Sequence, residues 1–312
     1  MRRVLVTGGA GFIGSHLSEA LSALGDRVLV VDNFSTGRKA NLANVPSVEI
    51  VEADVADAAA MQEVTNSFKP DVLVHAAASY RNPDDWEADI STNILGTARV
   101  VQAAAQARVR RLIYFQTALC YGLHPAERPI RRSHPLMPAS SYAISKVAAE
   151  RYVELSGLDY VSFRIPNAYG PRGVAGPLAS FVRNLTGGLA CQVVDSRRDF
   201  VFIDDLIEIV LMAIAGKGAT GWYHVASGTE YTIAELFRMT IAAMGMDPHT
   251  PRRDVPLPPD DVYANLLDLS LTQEVFGWEA KTPLEAGVQR TVRYYLTHGI
   301  GQAYSHLRSF GD

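Results

Sequence analysis

A chain of 312 residues, 48% hydrophobic and 20% charged, is long enough to build one large domain, or two intimate ones, around a full core. Its net charge of −4 argues against nucleic-acid binding as the main task, and no apolar run reaches the roughly 18 residues of a membrane span. Two cysteines, Cys120 and Cys191, are too few for a disulfide framework and fit a reducing cytoplasm.

The opening RRVLVT reads as a buried first strand rather than a secretory signal, because glycines interrupt the apolar run at once. Four further runs, DRVLVVD, VEIVEAD, DVLVHAA and RLIYFQT, are short and nearly continuous in apolar character. That texture predicts strands covered on both faces. Helical stretches alternate with them, notably SHLSEALSALG and ISTNILGTARVVQAAAQARV. In the second, Ile94, Ala98, Val101 and Ala105 predict one apolar stripe. Such alternation predicts an α/β fold with a doubly wound parallel sheet, and SSYAISKVAAERYVEL followed by DYVSFRI adds another unit.

After Ile165 prolines and glycines crowd the chain, in PNAYGPRGVAGP and again in DPHTPRRDVPLPPDD. Residues 1–165 are expected to form the larger lobe, with 199–216 returning to it. Residues 166–198 and 217–312 are expected to form a smaller lobe over the sheet's carboxyl edge.

Three stretches carry chemistry. VLVTGGAGFIGSHL sets Gly8, Gly11 and Gly14 between a strand and a helix, where a bare backbone and free N–H groups suit a pyrophosphate. Asp32 ends the next strand about 20 residues on, placed to accept hydrogen bonds from an adenosine ribose. It favours NAD, and Arg38 leaves NADP as the minor alternative. Asp54 is placed to meet the adenine amino group, or to cap the helix that follows. Finally, SSYAISK puts Tyr142 and Lys146 four residues apart on one helical face. A phenol is a poor base at neutral pH; a nearby ammonium and a positive nicotinamide ring both favour the phenolate.

These pieces, with VDNFSTG, HAAA, NILGT, RIPNAYGPR, RRDFVFIDDL and FGWEAKTPLEAGVQRTVRYY, appear in an order that resembles the extended short-chain dehydrogenases/reductases, specifically their nucleotide-sugar epimerases and dehydratases. The resemblance spans nearly the whole chain. It implies a Rossmann lobe holding NAD, a smaller α/β lobe holding a nucleoside-diphosphate sugar, and no metal. It adds Phe12, Ile13, Asn33, Val55, Ala76, Ala77 and Asn93 to the cofactor-binding set, beside Tyr142 and Lys146. It also implies a homodimer formed through the stretches 94–107 and 142–155. Thr117, five residues before Gly122, matches the hydroxyl residue that steadies the reacting sugar oxygen, completing a catalytic set of Thr117, Tyr142 and Lys146.

Relatives that eliminate water carry an Asp-Glu pair directly after that threonine, and those that decarboxylate carry a glutamate two residues after it. Here Ala118 and Leu119 stand there, so both chemistries are disfavoured. The expectation is an epimerase acting at C4 through a transient ketone, with a ketoreductase of similar substrates as the alternative. A non-catalytic dinucleotide-binding protein is a further one. Cys120 sits one step out of phase with a family acid/base cysteine and is expected to be a buried small hydrophobe. By the same resemblance, Arg198 and Asn167 are the substrate-binding residues. Two departures concern the substrate end: Pro258 replaces a second family arginine, and VVDSR shortens the loop before Arg198.

Overall fold

The structure, a computed structural model, describes residues 1–45, 47–80, 82–259, 261–301 and 303. The first half runs β1 (Arg3–Thr7), α1 (Phe12–Ala23), β2 (Arg27–Asp32), β3 (Glu49–Glu52), α2 (Ala58–Phe68), β4 (Val72–His75), α3 (Trp86–Ala88), a π-helical stretch Asp89–Gly96, α4 (Thr97–Gln106), β5 (Arg111–Thr117), α5 (Ser141–Leu155) and β6 (Tyr160–Ile165). The second half runs β7 (Asn167–Tyr169), α6 (Pro177–Thr186), β8 (Cys191–Val194), β9 (Arg197–Phe202), α7 (Ile203–Ile214), β10 (Gly221–His224), β11 (Glu230–Thr232), α8 (Ile233–Ala243), β12 (Arg252–Val255), α9 (Ser270–Phe276) and α10 (Leu284–His298).

Seven strands form one parallel sheet in the order β10-β6-β5-β4-β1-β2-β3. The chain winds outward from β1 in one direction and from β4 in the other, so this is the doubly wound Rossmann arrangement. The carboxyl ends of β1 and β4 flank its switch point, where ligands of such sheets bind. One face packs under α2, α4 and α5 through Leu5, Leu73, Leu112 and Val153. The opposite core, with Val6, Val74 and Phe163, runs continuously under α7 into the second lobe through Phe202, Phe237 and Val288. The smaller lobe holds a three-stranded sheet, β11-β9-β7, and a two-stranded one, β12-β8.

Three placements differ from expectation. The seventh strand of the large sheet is β10, from a segment expected in the second lobe; its Gly221–His224 backbone pairs in register with Val161–Arg164 of β6. Conversely, Asp199–Phe202 stays with the small sheet, and the chain returns only with α7, which packs on α1 and β5. The buried stripe near residues 93–104 is Asn93, Thr97, Val100, Val101 and Ala104, one step from the expected one, while Ala105 is exposed. Polar groups define that face: Asn93 binds Ser79 and Ser145, and Thr97 meets His75, so apolarity alone gives the wrong phase. β3 is exposed at the sheet edge, where Glu49 and Glu52 discourage pairing with another chain.

Candidate active site

A cavity of about 750 Å³ opens at the carboxyl ends of β1, β4 and β5 and extends into the second lobe. At one end the glycine turn forms its floor. Gly8 has φ +66°, and a Cβ there would meet the Ala77 nitrogen at 2.6 Å, so the turn lies directly on the loop after β4. A Cβ on Gly14 would run into the Gly8 carbonyl and meet the Gly9 Cα at 2.6 Å, so α1 can start this close only with glycine. α1 begins after Gly11 with no side-chain cap, which leaves its first N–H groups toward the cavity. A pyrophosphate fits this cradle, because it needs bare backbone and free donors.

Asp32 ends β2 with its carboxylate buried and lining the same space. Its oxygens accept from the Ala10 nitrogen at 2.9 Å and the Phe34 nitrogen at 2.8 Å. Burial nevertheless outweighs those bonds and pushes its pKa up. Phe12, Ile13, Asn33, Val55, Ala76 and Ala77 line the cavity as well.

Two expected cofactor residues lie outside the lining. Asp54 accepts from Asn33 Nδ2 at 2.8 Å and from the Ala56 nitrogen at 2.8 Å, so it braces Asn33. Nor is it the helix cap; Asp57 accepts from the Ala59 and Ala60 nitrogens at the start of α2. Asn93 is buried behind the cavity, where Nδ2 donates to Ser145 Oγ at 2.9 Å and Oδ1 accepts from the Ser79 nitrogen at 2.8 Å. It ties the loop after β4 to α5.

Thr117, Tyr142 and Lys146 all line the cavity. Thr117 is the last residue of β5, and its Oγ1 accepts from the Leu119 nitrogen at 3.2 Å, leaving the hydroxyl proton to donate. Ser140 caps α5, so Tyr142 lies in the first turn and Lys146 one turn further. The backbone carbonyl of Lys146 accepts from Gln116 Nε2 at 2.8 Å, which pins α5 to β5. Lys146 Nζ stands 4.0 Å over the Tyr114 ring. Burial pushes its ammonium down to about 7, against the opposing charge of Glu150.

The expected lowering of the Tyr142 phenol by Lys146 is not what the structure shows. Burial, then Tyr80 and the buried Asp89, push the phenol well above its ordinary value. Positive charge brought by a ligand would add to that of Lys146 in favouring the phenolate. Among the described residues that line the cavity, the carboxylates are Asp32 and Asp261, at the two ends. Ala118 and Leu119 follow Thr117 as a tight 3₁₀ turn, and Cys120 is fully buried beside Ile130, Ala226 and Leu267, its thiol pushed up to about 12.

At the far end stand Asn167, Arg198, Ser196, Pro258, Asp261 and Asn265. Asn167 Nδ2 donates to the Asp199 carbonyl at 3.1 Å. Arg198 is buried and paired with Asp261, Nη2 to Oδ2 2.6 Å, and burial lowers its pKa despite that partner. Asp261 escaped the sequence reading; an acid three residues after the missing arginine at Pro258 was the available signal. Asp260, beside it, lies outside the described residues. Among the described residues no cluster of His, Cys, Asp and Glu could hold a metal ion, and no helix is long and apolar enough to cross a membrane.

This sheet and its glycine turn define a dinucleotide-binding protein on a doubly wound fold, with Thr117, Tyr142 and Lys146 lining its cavity. Residues 4–226 match the NAD dependent epimerase/dehydratase family, and the chain belongs to it. It is 35% identical to the UDP-glucose 4-epimerase of Mycolicibacterium smegmatis, over 94% of this chain and 98% of that one. The crystal structure of the Bordetella bronchiseptica enzyme WbmH in complex with NAD⁺ superposes with a TM-score of 0.93 at 46% identity, over 96% of this chain and all (100%) of that one. The B. bronchiseptica enzyme WbmG, in complex with NAD and UDP, superposes with a TM-score of 0.90 at 38% identity, over 99% of both chains.

Proposed function

We propose that this protein is an NAD-dependent epimerase of a nucleoside-diphosphate sugar, inverting C4 by oxidation to a ketone and re-reduction on the opposite face. The observation that supports it most is the cavity's lining: Thr117, Tyr142 and Lys146 all face it, while the residues after Thr117 are Ala118 and Leu119, which carry no acid for elimination or decarboxylation. NAD, when bound, supplies a reversible two-electron acceptor and, when oxidised, a positively charged ring. Gly8, Gly11, Gly14 and the start of α1 would hold its pyrophosphate, and Asp32 its adenosine ribose.

Tyr142 accepts the proton of the sugar hydroxyl as the carbon is oxidised, and returns it on reduction. Lys146 binds the cofactor ribose and supports the phenolate. Thr117 donates to the reacting oxygen and holds it in line with Tyr142. Arg198 and Asn167 anchor the diphosphate, so the ketone can turn about that linkage without leaving.

The protein is proposed to act as a homodimer in a reducing cytoplasm. Ile90 and Leu95 of the π stretch and Ile144, Tyr152 and Leu155 of α5 are exposed on adjoining helices, a patch suited to a two-fold interface. Cys120 and Cys191 are both buried and unpaired. The test is incubation of purified protein with UDP-, GDP- and dTDP-sugars, read by NMR. Inversion at C4 without added nicotinamide is the expected result. Conversion only with stoichiometric external nicotinamide would assign a ketoreductase instead.

A further inference from the structure

Behind the reactive side chains runs a buried polar chain whose members do not line the cavity. Tyr142, Lys146 and Glu150 recur every four residues along one face of α5. Glu150 Oε2 accepts from Arg164 Nη2 at 2.7 Å, and Oε1 from Ser162 Oγ at 2.6 Å. Arg164, on β6, sits in register beside Gln116 of β5, one residue before Thr117. Its Nη1 donates to the Tyr121 hydroxyl at 2.9 Å. That hydroxyl lies 2.6 Å from His224 Nε2, while His224 Nδ1 lies 2.8 Å from the Asp268 carbonyl. A carbonyl can only accept, so Nδ1 carries the proton and Nε2 accepts from Tyr121. Every side chain in the chain is thus matched donor to acceptor, and Glu150, Arg164, Tyr121 and His224 are each at most 2% exposed.

The connection is specific. Tyr121 closes the short turn that starts directly after Thr117, and Glu150 stands one helical turn beyond Lys146. The ion pair is the link between the two. Stability alone accounts poorly for it, since apolar residues of equal volume usually serve a buried pair's position as well. Its charge, in contrast, bears on Lys146. The groups that face Lys146 are Tyr142 and Glu150 on its own helix, His75 on β4 and Tyr114 on β5. Beyond Glu150 stand Arg164 and then Cys120, Tyr121 and His224. Tyr114 is held protonated and His75 neutral by burial, so Glu150 is the one group named here whose charge favours the ammonium.

We propose that Glu150 and Arg164 are positioning residues for the reaction: the pair locks the Lys146 face of α5 against the turn that follows Thr117, with the Glu150 charge on the Lys146 side. This rests on the redox reading of Thr117, Tyr142 and Lys146.

The test compares wild type, Glu150→Gln, the double variant Glu150→Met with Arg164→Met, and Tyr142→Phe, each by pH–rate profile and melting temperature. Glu150→Gln keeps the shape and removes the charge. Its alkaline limb of kcat/KM is expected to move to lower pH by about one unit, as Lys146 loses its proton sooner. The double variant leaves no unpaired buried charge, so it is expected to fold even if the single one does not. It is expected to show the same displacement and a kcat reduced about tenfold, the scale of a lost positioning contact. Wild-type limbs and kcat in both, with only the melting temperature changed, would make the pair merely structural and overturn the proposal. An active Tyr142→Phe would instead overturn the redox reading beneath it.

Discussion

Arg198 and Asp261 meet at the nucleotide end of the cavity as a buried ion pair, Nη2 to Oδ2 2.6 Å. Arg198 is the diphosphate anchor proposed above, and Pro258 stands where the family resemblance expects a second arginine. On that proposal a diphosphate would share the guanidinium with Asp261. Arg198→Met is expected to weaken UDP binding at least about tenfold, the loss of roughly one charge-assisted contact, while NAD binding is unchanged. Isothermal titration with each ligand separately checks this. Equal loss of both affinities would point to a general folding defect.

Removing the other partner gives a different outcome. Asp261→Asn leaves the Arg198 charge buried without its counter-ion, which costs about 3–5 kcal/mol in typical cases. The melting temperature of the free protein is expected to fall. UDP brings negative charge to the same guanidinium, so it is expected to raise the melting temperature more in the variant than in wild type. A smaller ligand-induced rise in Asp261→Asn would show that Arg198 does not meet the diphosphate.

Gly14→Ala tests the cofactor cradle. The new methyl would press on backbone, the Gly8 carbonyl and the Gly9 Cα at 2.6 Å, which cannot rotate away as a side chain can. The glycine turn must open or α1 must shift, at about 1–3 kcal/mol. NAD retained through purification is expected to drop sharply, measured by absorbance after denaturation. Full retention would mean that the turn does not receive the pyrophosphate.

The sequence makes the first half of the sheet legible because strands covered on both faces are continuous apolar runs, as β1, β2, β4 and β5 are, whereas β3, expected to be covered too, is an exposed edge strand. It makes the cavity's glycines and its Thr117, Tyr142 and Lys146 legible because each belongs to a local pattern. What stays hidden is set by distant partners. The buried face at Asn93 and Thr97 is polar, satisfied by Ser79, Ser145 and His75, and no apolar count finds it. Asp54 turns away from the cavity because Asn33 and the Ala56 nitrogen claim its oxygens. The seventh strand depends on β10 meeting β6 across about sixty residues, a pairing with no local signature. Arg164 with Glu150, and Arg198 with Asp261, are likewise visible only once the fold has joined them.

Thr117→Val removes one hydroxyl at almost constant volume. The Leu119 nitrogen loses its acceptor, worth about 1 kcal/mol of stability, so the protein is expected to stay folded. Turnover is expected to fall about 10²-fold, the lower range for a group that handles a proton in the transition state. Thr117→Ser restores the hydroxyl and is expected to recover most of the rate. Steady-state kinetics on the three proteins decides it, and a Val variant as fast as wild type would remove Thr117 from the reaction.

Acid stability follows from two buried imidazoles. Burial, followed by the Lys146 charge, pushes His75 down to about 3; burial likewise pushes His224 down to about 4. His75 Nδ1 lies 2.6 Å from Thr7 Oγ1 and Nε2 lies 2.9 Å from Thr97 Oγ1, so the neutral ring is satisfied as it stands. The unfolded chain protonates both rings near 6.5. Folding therefore disfavours the bound proton: their contribution is complete above pH 6.5 and is lost as pH falls toward 4. At pH 5 each ring withdraws about 2 kcal/mol. Asp199 runs the opposite way, because burial raises it to about 6 and its ionisation opposes folding as pH rises through that value. Imidazole NMR titration separates these contributions. Neither the His75 nor the His224 ring is expected to titrate above pH 5 while the protein remains folded, and a midpoint near 6.5 for either would show that its ring is solvated rather than held neutral.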